Sequence, residues 1–157
     1  MPSNSRMTDY VLKTEPIHLN VSPTGFRKAA REFFKCYLDF CQPGNFSLVP
    51  FFLCCRSIEL ALKAEHLECA NRKHVKDVYG HDLEKSYLGL PANKQTLNPV
   101  ELNLLTRTTA LYKTKAFEYF FVEHAATGYT VFPKIEELAN LTRKILVTTE
   151  VQNTAEE

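Results

Sequence analysis

The sequence lacks the glycine-rich and histidine-rich motifs that mark many nucleotide-binding and metal-binding proteins. Its 157 residues include 5 glycines, none of them clustered. Neither G-x-x-x-x-G-K-S/T nor G-x-G-x-x-G is present, and the zinc-protease motif H-E-x-x-H is missing too. We therefore expect no glycine loop that cradles phosphate, and neither a metal nor a cofactor.

Long apolar runs and an excess of one charge are missing as well. The longest apolar stretch, "FSLVPFFLCC" at 46–55, ends at Arg56 and is shorter than the roughly 18 residues of a membrane helix. The first residues contain no apolar segment of signal-peptide length, so we expect a cytoplasmic protein without a membrane partner. The formal net charge is +1, from 19 basic and 18 acidic side chains, so binding to nucleic acid would need a local basic patch.

Cysteine is present in an odd number and without paired spacing. The 5 cysteines are Cys36, Cys41, Cys54, Cys55 and Cys69, and none forms a C-x-x-C pair. Without a secretory signal, reduced thiols are the expected state. We expect these cysteines to behave as small buried apolar residues.

Helix-start signals and apolar residues at helical spacing predict an all-α fold. Ser22-Pro23 and Asn98-Pro99 each place a capping side chain before a proline at the first helical position, and Glu101 completes a capping box. The predicted helices cover about 22–40, 50–69, 81–88, 98–122 and 133–146. The polar segment 70–80 has no clear apolar periodicity, so its pattern does not distinguish a helix from a loop.

These helices predict an up-and-down bundle of four to five helices in a single domain, residues 22–148. Residues 1–21 are predicted to be an N-terminal leader, and residues 149–157 a flexible acidic tail. Period-two alternation at 17–21 and 127–133 predicts two short strands, which would pair as a β-hairpin outside the bundle.

Four polar side chains share one face of the second predicted helix. Arg56, Glu59, Lys63 and His66 follow one another at spacings of three and four residues. They could line a polar groove that contacts phosphate or a base. Alternatively, Glu59 and Lys63 form a solvated pair that stabilises the helix by about 0.2–0.5 kcal/mol.

His81 and Asp82 follow Gly80 at the start of the next predicted helix. A histidine beside an aspartate could supply acid–base chemistry, because imidazole changes charge near physiological pH. Either residue could instead cap the helix, and Asp82 also suits the positive end of the helix dipole. A third interpretation is a buried imidazole that bonds to Glu59.

Basic side chains recur at helical spacing in two further places. They are Arg27, Arg31 and Lys35 on the first helix, and Arg107, Lys113 and Lys115 on the long later helix. Such residues are used for phosphate contacts. The alternative is a solvated face, because Glu32, Asp39 and Glu118 interrupt the positive charge.

Two segments together resemble the HEPN-domain group of helical bundles. "RSIELALKAEHL" at 56–67, followed by "YGHDLEKSYLGL" at 79–90, resembles the group's helix of the form hELxLKA, a short loop and (Y)GHDLxxL. "LNLLTRTTALYKTKAFEYFF" at 102–121 is similar to the group's long later helix, where a tyrosine often precedes a basic residue and an aromatic. The likeness covers about residues 24 to 145.

The resemblance implies a four- or five-helix HEPN-like bundle that is often a homodimer. Many members are associated with RNA cleavage, nucleotide binding, toxin–antitoxin systems, or stress and phage defence. In catalytic members an arginine and a histidine, four to six residues apart on the long later helix, cut RNA. Here Arg107 has the comparable place, Tyr112 stands where the histidine is needed, and no other arginine has a histidine at that spacing. Tyrosine, with a pKa of about 10, is a poor general base near neutral pH.

Three functions remain open on these observations. The first is a non-catalytic module that binds RNA, a nucleotide or a protein partner, with the ligand-binding candidates Glu59, Lys63, His81, Asp82, Arg107, Tyr112 and Lys113. The second is a divergent metal-independent ribonuclease, with the catalytic candidates Arg107, Tyr112, His81 and Glu59. For either, we expect Glu59, His81 and Arg107 to meet in the bundle interior. The third is a homodimeric interaction protein without ligand, with 46–55 and 116–122 as its apolar interface.

Overall fold

The computed structural model describes residues 21–44, 46–115 and 132–150, and regular structure in these ranges is helical. These ranges contain six α-helices: α1 (Pro23–Asp39), α2 (Val49–Leu67), α3 (Arg72–Tyr79), α4 (Leu83–Leu88), α5 (Pro99–Lys113) and α6 (Ile135–Glu150). A short 3-10 helix, Ala92–Lys94, precedes α5. The prediction of an all-α bundle is confirmed. The predicted hairpin, the leader and most of the acidic tail lie outside the described residues.

α2 forms the centre of the fold. It contacts each of the other five described α-helices. Its side chains Cys54, Ile58 and Leu62 are fully buried, and burial of a side chain of leucine size stabilises by about 1.5–3 kcal/mol. A helix that is apolar on most of its surface is buried among its neighbours. The few polar side chains of α2 are therefore held in place by several helices at once.

The predicted helix starts at Ser22 and Asn98 are confirmed. The Ser22 hydroxyl accepts a hydrogen bond from the Gly25 N–H at 3.2 Å. Asn98 accepts from the Glu101 N–H, and the Glu101 carboxylate accepts from the Asn98 N–H in return, so the capping box is complete. Each cap satisfies a backbone donor that the first turn of a helix leaves unpaired.

The undecided segment 70–80 contains α3, and a sharp junction joins α3 to α4. Asn71 caps α3 by accepting from the His74 N–H at 2.9 Å. Gly80 has φ 51°, a conformation that side chains disfavour, and the chain reverses there. Asp82 then caps α4 by accepting from the Lys85 N–H at 2.9 Å. Of the two proposed caps, His81 and Asp82, Asp82 has this role.

α5 ends at Lys113 and not at about residue 122 as predicted. The Thr114 hydroxyl donates to the Leu111 carbonyl at 2.9 Å, which competes with the regular helical bond. Lys115 has φ 57°, in the left-handed region that stops a right-handed helix. The proposed apolar interface at 116–122 lies outside the described residues.

The expectation of buried cysteines is right for two of the five. Cys54 and Cys55 on α2 are buried, whereas Cys36, Cys41 and Cys69 are exposed. The difference follows from position, because α2 is surrounded by other helices. Burial raises the pKa of Cys54 to about 12.

The basic stripe of α1 is neutralised in the fold. Arg27, expected on an outward face, is buried and pairs with Glu65 at 2.8 Å and Glu68 at 2.7 Å. Its Nε also donates to the Thr149 carbonyl at 3.3 Å, so one guanidinium joins α1, α2 and the end of α6. Arginine suits this joining role because its guanidinium presents several N–H donors in a fixed planar arrangement.

Candidate functional site

The Glu59 carboxylate, near the middle of α2, is 2% exposed and has four polar neighbours. Its Oε1 lies 2.5 Å from the Lys63 Nζ and 3.1 Å from an Arg56 guanidinium nitrogen. Its Oε2 lies 3.2 Å from the His81 Nδ1 and accepts a hydrogen bond from the Tyr112 hydroxyl. Glu59 therefore connects the cations of α2 to His81, at the α3–α4 junction, and to Tyr112 on α5.

The charges around Glu59 keep its carboxylate ionised. Burial alone would raise the pKa of Glu59, but hydrogen bonds from Lys63 and Tyr112 and the charges of Lys63 and Arg56 outweigh burial and lower it. Burial and the neighbouring Glu59 charge raise the pKa of Tyr112 well above its ordinary value. Tyr112 is therefore a protonated donor to Glu59, a state unsuited to a general base.

His81 is bound to Glu59 but stays open to solvent. Its side chain is 58% exposed, and its ring meets the Tyr112 ring edge-on with the centroids 5.9 Å apart. His81 contacts Glu59, as the third interpretation expects, but the expected burial of its imidazole is wrong. One edge of the ring is oriented by a buried carboxylate and the rest of it faces outward.

Asp82 and Lys113 join α4 to the end of α5. The Lys113 Nζ donates to the Asp82 carboxylate at 2.6 Å. Burial alone would raise the pKa of Asp82, but the bonds from Lys113 and from the Lys85 N–H outweigh burial and lower it. Both residues were predicted to contact a ligand, and in the structure each binds a neighbouring part of the fold.

His66, the fourth residue of the α2 polar face, points to a different neighbour. Its Nε2 lies 2.8 Å from the Ser86 carbonyl oxygen, and its ring stacks on Tyr79 with the centroids 4.0 Å apart. Burial lowers the pKa of His66. The side chain thus fixes α3 and α4 against α2. Within the described ranges no group of three or more histidine, cysteine, aspartate or glutamate side chains is placed to hold a metal.

An open cleft of about 480 Å³ lies between α2 and α3, with Phe26 of α1 at its edge; we name it the α2–α3 cleft. Five cations line it, namely Arg56, Lys63, Arg72, Lys73 and Lys76. Two carboxylates, Glu59 and Asp77, line it as well. Its apolar residues are Phe26, Leu60, Leu67 and Val75.

The carboxylates of the cleft are already engaged by cations. Glu59 is shared by Arg56 and Lys63, and Asp77 pairs with Lys73 at 2.9 Å. Among the described residues no carboxylate lies within 4.0 Å of the charged nitrogens of Arg72 or Lys76. The cleft therefore has an excess of positive charge that the nearly neutral composition conceals.

Apolar periodicity does not place the α3 cations, because the segment 70–80 is mostly polar. Asn71 as a cap, with Val75 and Tyr79 four residues apart, is the signal that identifies this short helix. Placing Arg72, Lys73 and Lys76 on α3 would have given a basic face beside Lys63.

Arg107 does not join the other candidates. It is exposed and lies in a separate groove between α5 and α6, beside Leu104 and Asn140. Arg107 and Tyr112 are five residues apart, which is about 140° around a helix, so they face different sides of α5. The structure brings together Glu59, Lys63, His81 and Tyr112, and the expected meeting of Arg107 with Glu59 and His81 does not occur.

The described residues thus define an all-α bundle with a cationic cleft beside a buried carboxylate. None of the described helices combines the length and the apolar character needed to cross a membrane. Comparisons with protein-family models, with curated proteins and with solved structures found no match.

Proposed function

We propose that this protein is a non-catalytic, HEPN-like module that binds the phosphates of RNA or of a nucleotide in the α2–α3 cleft. One observation carries the proposal: five cations surround a cleft of about 480 Å³ whose two carboxylates are already paired. By the same resemblance, its setting would be stress response, defence or a toxin–antitoxin pair, in which a protein partner is also expected.

The chemistry of the cleft suits phosphate. Lysine and arginine neutralise phosphate charge and donate hydrogen bonds to phosphate oxygens. Lys63 is 14% exposed and fixed by Glu59, so its charge is placed before a ligand arrives. Arg72 and Lys76 have no described carboxylate partner to release, so a phosphate meets little competition there.

The absence of cleavage is inferred from the chemistry of Tyr112 and from the missing arginine–histidine pair. The resemblance places a catalytic histidine where Tyr112 stands, and Tyr112 is a buried donor to Glu59. RNA cleavage without a metal needs a base that is available near neutral pH. Arg107, the comparable arginine, lies in the α5–α6 groove away from Glu59.

A second candidate, a divergent ribonuclease, is favoured by one contact. A carboxylate that orients a solvent-open histidine is an arrangement used in acid–base catalysis, and Glu59 holds the His81 Nδ1 at 3.2 Å. RNA cleavage by the purified protein that is lost in His81→Ala would establish this function. Cleavage that survives His81→Ala would exclude the assignment to His81.

Binding can be tested by charge-matched variants. We expect Lys73→Gln/Lys76→Gln to weaken binding of labelled single-stranded RNA or of ATP by at least about tenfold, and to reduce the salt dependence by about two phosphate contacts. Both lysines are exposed, so the fold should persist. The control Lys28→Gln/Lys134→Gln removes the same charge outside the cleft. Equal binding by the two variants, or no binding by the unmodified protein, would exclude the proposal.

A variant with the opposite sign makes the test sharper. Asp77→Asn removes a carboxylate from the cleft and releases Lys73 from its partner. Binding should become tighter by about twofold to tenfold, as expected when a like charge near a bound phosphate is removed. An unchanged or weaker affinity would place the phosphate elsewhere.

A further inference from the structure

The positive charge outside the α2–α3 cleft is mostly compensated. Most cations on the other helices lie within ion-pair distance of described carboxylates, for example Arg31 with Glu150 at 3.0 Å and Lys144 with Glu101 at 2.6 Å. Similar pairs engage Lys28, Lys35, Lys113 and Lys134. A long nucleic acid needs a cationic track along which its backbone can run. The described cations outside the cleft that have no described carboxylate within 4.0 Å are spread over α4, α5 and α6 or follow α5, namely Lys85, Arg107, Lys115 and Arg143, whereas five cations meet in the cleft.

The size and lining of the cleft also favour a small ligand. Its volume of about 480 Å³ is within the range of small-molecule sites, about 300–1,000 Å³. Grooves for single strands add several aromatic side chains on which successive bases stack. Among the described residues that line this cleft, Phe26 is the one aromatic side chain.

The cations reach the cleft from two helices. Arg56 and Lys63 come from α2, where Glu59 fixes them, and Arg72, Lys73 and Lys76 come from α3. Arg72 and Lys76 are four residues apart and so share one face of α3. Because cations lie on both walls, a ligand with several adjacent phosphates can place one phosphate on each wall.

We infer that the α2–α3 cleft takes a compact ligand that carries several adjacent phosphates, and this inference rests on the proposed function. Two sources share this chemistry, a nucleoside polyphosphate and an inorganic oligophosphate. Phe26, Leu60 and Val75 give the cleft an apolar part, which a nucleoside would cover with its base.

Calorimetric titration tests the inference. The protein is titrated, without divalent metal, with tripolyphosphate, ATP, AMP and a short single-stranded RNA that lacks a 5′-triphosphate. Tripolyphosphate or ATP should bind at least about tenfold more tightly than AMP and than the RNA, because only the former present adjacent phosphates. Lys73→Gln/Lys76→Gln should lose this preference, and Lys28→Gln/Lys134→Gln should keep it.

Phe26→Leu distinguishes the two sources. A loss of affinity for ATP, with tripolyphosphate binding intact, assigns a nucleoside polyphosphate and shows that the variant cleft is folded. An equal affinity of the unmodified protein for ATP and tripolyphosphate, unaffected by Phe26→Leu, assigns an inorganic oligophosphate. Both results support a ligand with adjacent phosphates.

Failure of the inference is distinguishable from failure of the proposed function. RNA that binds more tightly than tripolyphosphate and ATP, and does so through Lys73 and Lys76, would overturn the inference and leave phosphate binding in the cleft standing. If none of these probes shows binding that depends on Lys73 and Lys76, both the inference and the proposed function are overturned.

Discussion

Tyr112 takes, in this protein, the place in which the resemblance expects a histidine. Its hydroxyl donates to the buried Glu59 carboxylate, and burial with the Glu59 charge keeps it protonated by raising its pKa. The same carboxylate fixes Arg56 and Lys63 at the edge of the cleft. At the scale of single residues, Tyr112 is therefore a support for the cationic site.

Removal of the Tyr112 hydroxyl should destabilise the fold. We expect Tyr112→Phe to lower the free energy of unfolding by about 1.5–3 kcal/mol, because a hydrogen bond to a charged group is lost and Glu59 loses a partner. Urea unfolding measures the difference. Tyr37→Phe is the control, since the Tyr37 hydroxyl has no hydrogen bond to a described residue, and it should change stability by less than about 0.5 kcal/mol. Equal effects of the two changes would contradict this role of Tyr112.

The lowered pKa of Glu59 predicts a loss of stability in acid. A carboxylate whose pKa is lower in the folded protein stabilises the fold above its ordinary value of 4.5, and this contribution is lost as the pH falls through the folded value. Thermal unfolding from neutral pH to below pH 4.5 should therefore be steeper with pH for the unmodified protein than for Glu59→Gln. Parallel curves would mean that Glu59 is not ionised by its neighbours as described.

Thiol reactivity should divide the cysteines by burial. Cys36, Cys41 and Cys69 should react with an alkylating reagent in the folded protein, whereas Cys54 and Cys55 should react only after denaturation. Burial raises the pKa of Cys54 to about 12, so thiolate, the reactive form, is scarce there. Peptide mass mapping of the alkylated sites measures the pattern, and modification of Cys54 in the native protein would contradict it.

The α3–α4 junction positions both sides of the site. Gly80 turns the chain, Asp82 caps α4, and Lys113 at the end of α5 binds the same Asp82 carboxylate. His81 lies within this junction and reaches Glu59 on α2. These contacts hold four helices in a fixed relation, and so the placement of α3 beside α2 depends on them.

Substitution at Asp82 separates capping from charge. Asp82→Ala should cost about 0.5–2 kcal/mol of stability through loss of the cap, with a further loss from the Lys113 pair. Asp82→Asn, which keeps a capping oxygen, should recover most of the capping part. The measurement is denaturant unfolding of both variants. A loss in Asp82→Asn as large as in Asp82→Ala would show that capping contributes little.

Sequence patterns predict where the helices lie better than they predict which face of each helix meets its neighbours. The caps at Ser22 and Asn98 were identified because proline and capping residues act locally. The same patterns do not identify α3, because five of its eight residues are polar or charged and Val75 is its one buried side chain. The sequence also does not place Arg107, because packing of the whole bundle decides which face of α5 meets α2.

For the whole molecule, a net charge of +1 hides an uneven distribution. Most described cations outside the cleft pair with carboxylates, and the cleft between α2 and α3 gathers five cations around two carboxylates. Fields of this kind concentrate anions at one site without making the protein generally basic. The homodimer stays a prediction, which light scattering of the purified protein would test.

The central claim is that phosphate binds between α2 and α3. The most direct measurement is a titration of the protein with tripolyphosphate or ATP, followed by backbone amide chemical shifts in solution. The account predicts that the largest shifts occur at 56–63 on α2 and at 72–77 on α3, and that they weaken in Lys73→Gln/Lys76→Gln. Shifts centred on Arg107 in the α5–α6 groove, or no shifts at all, would contradict it.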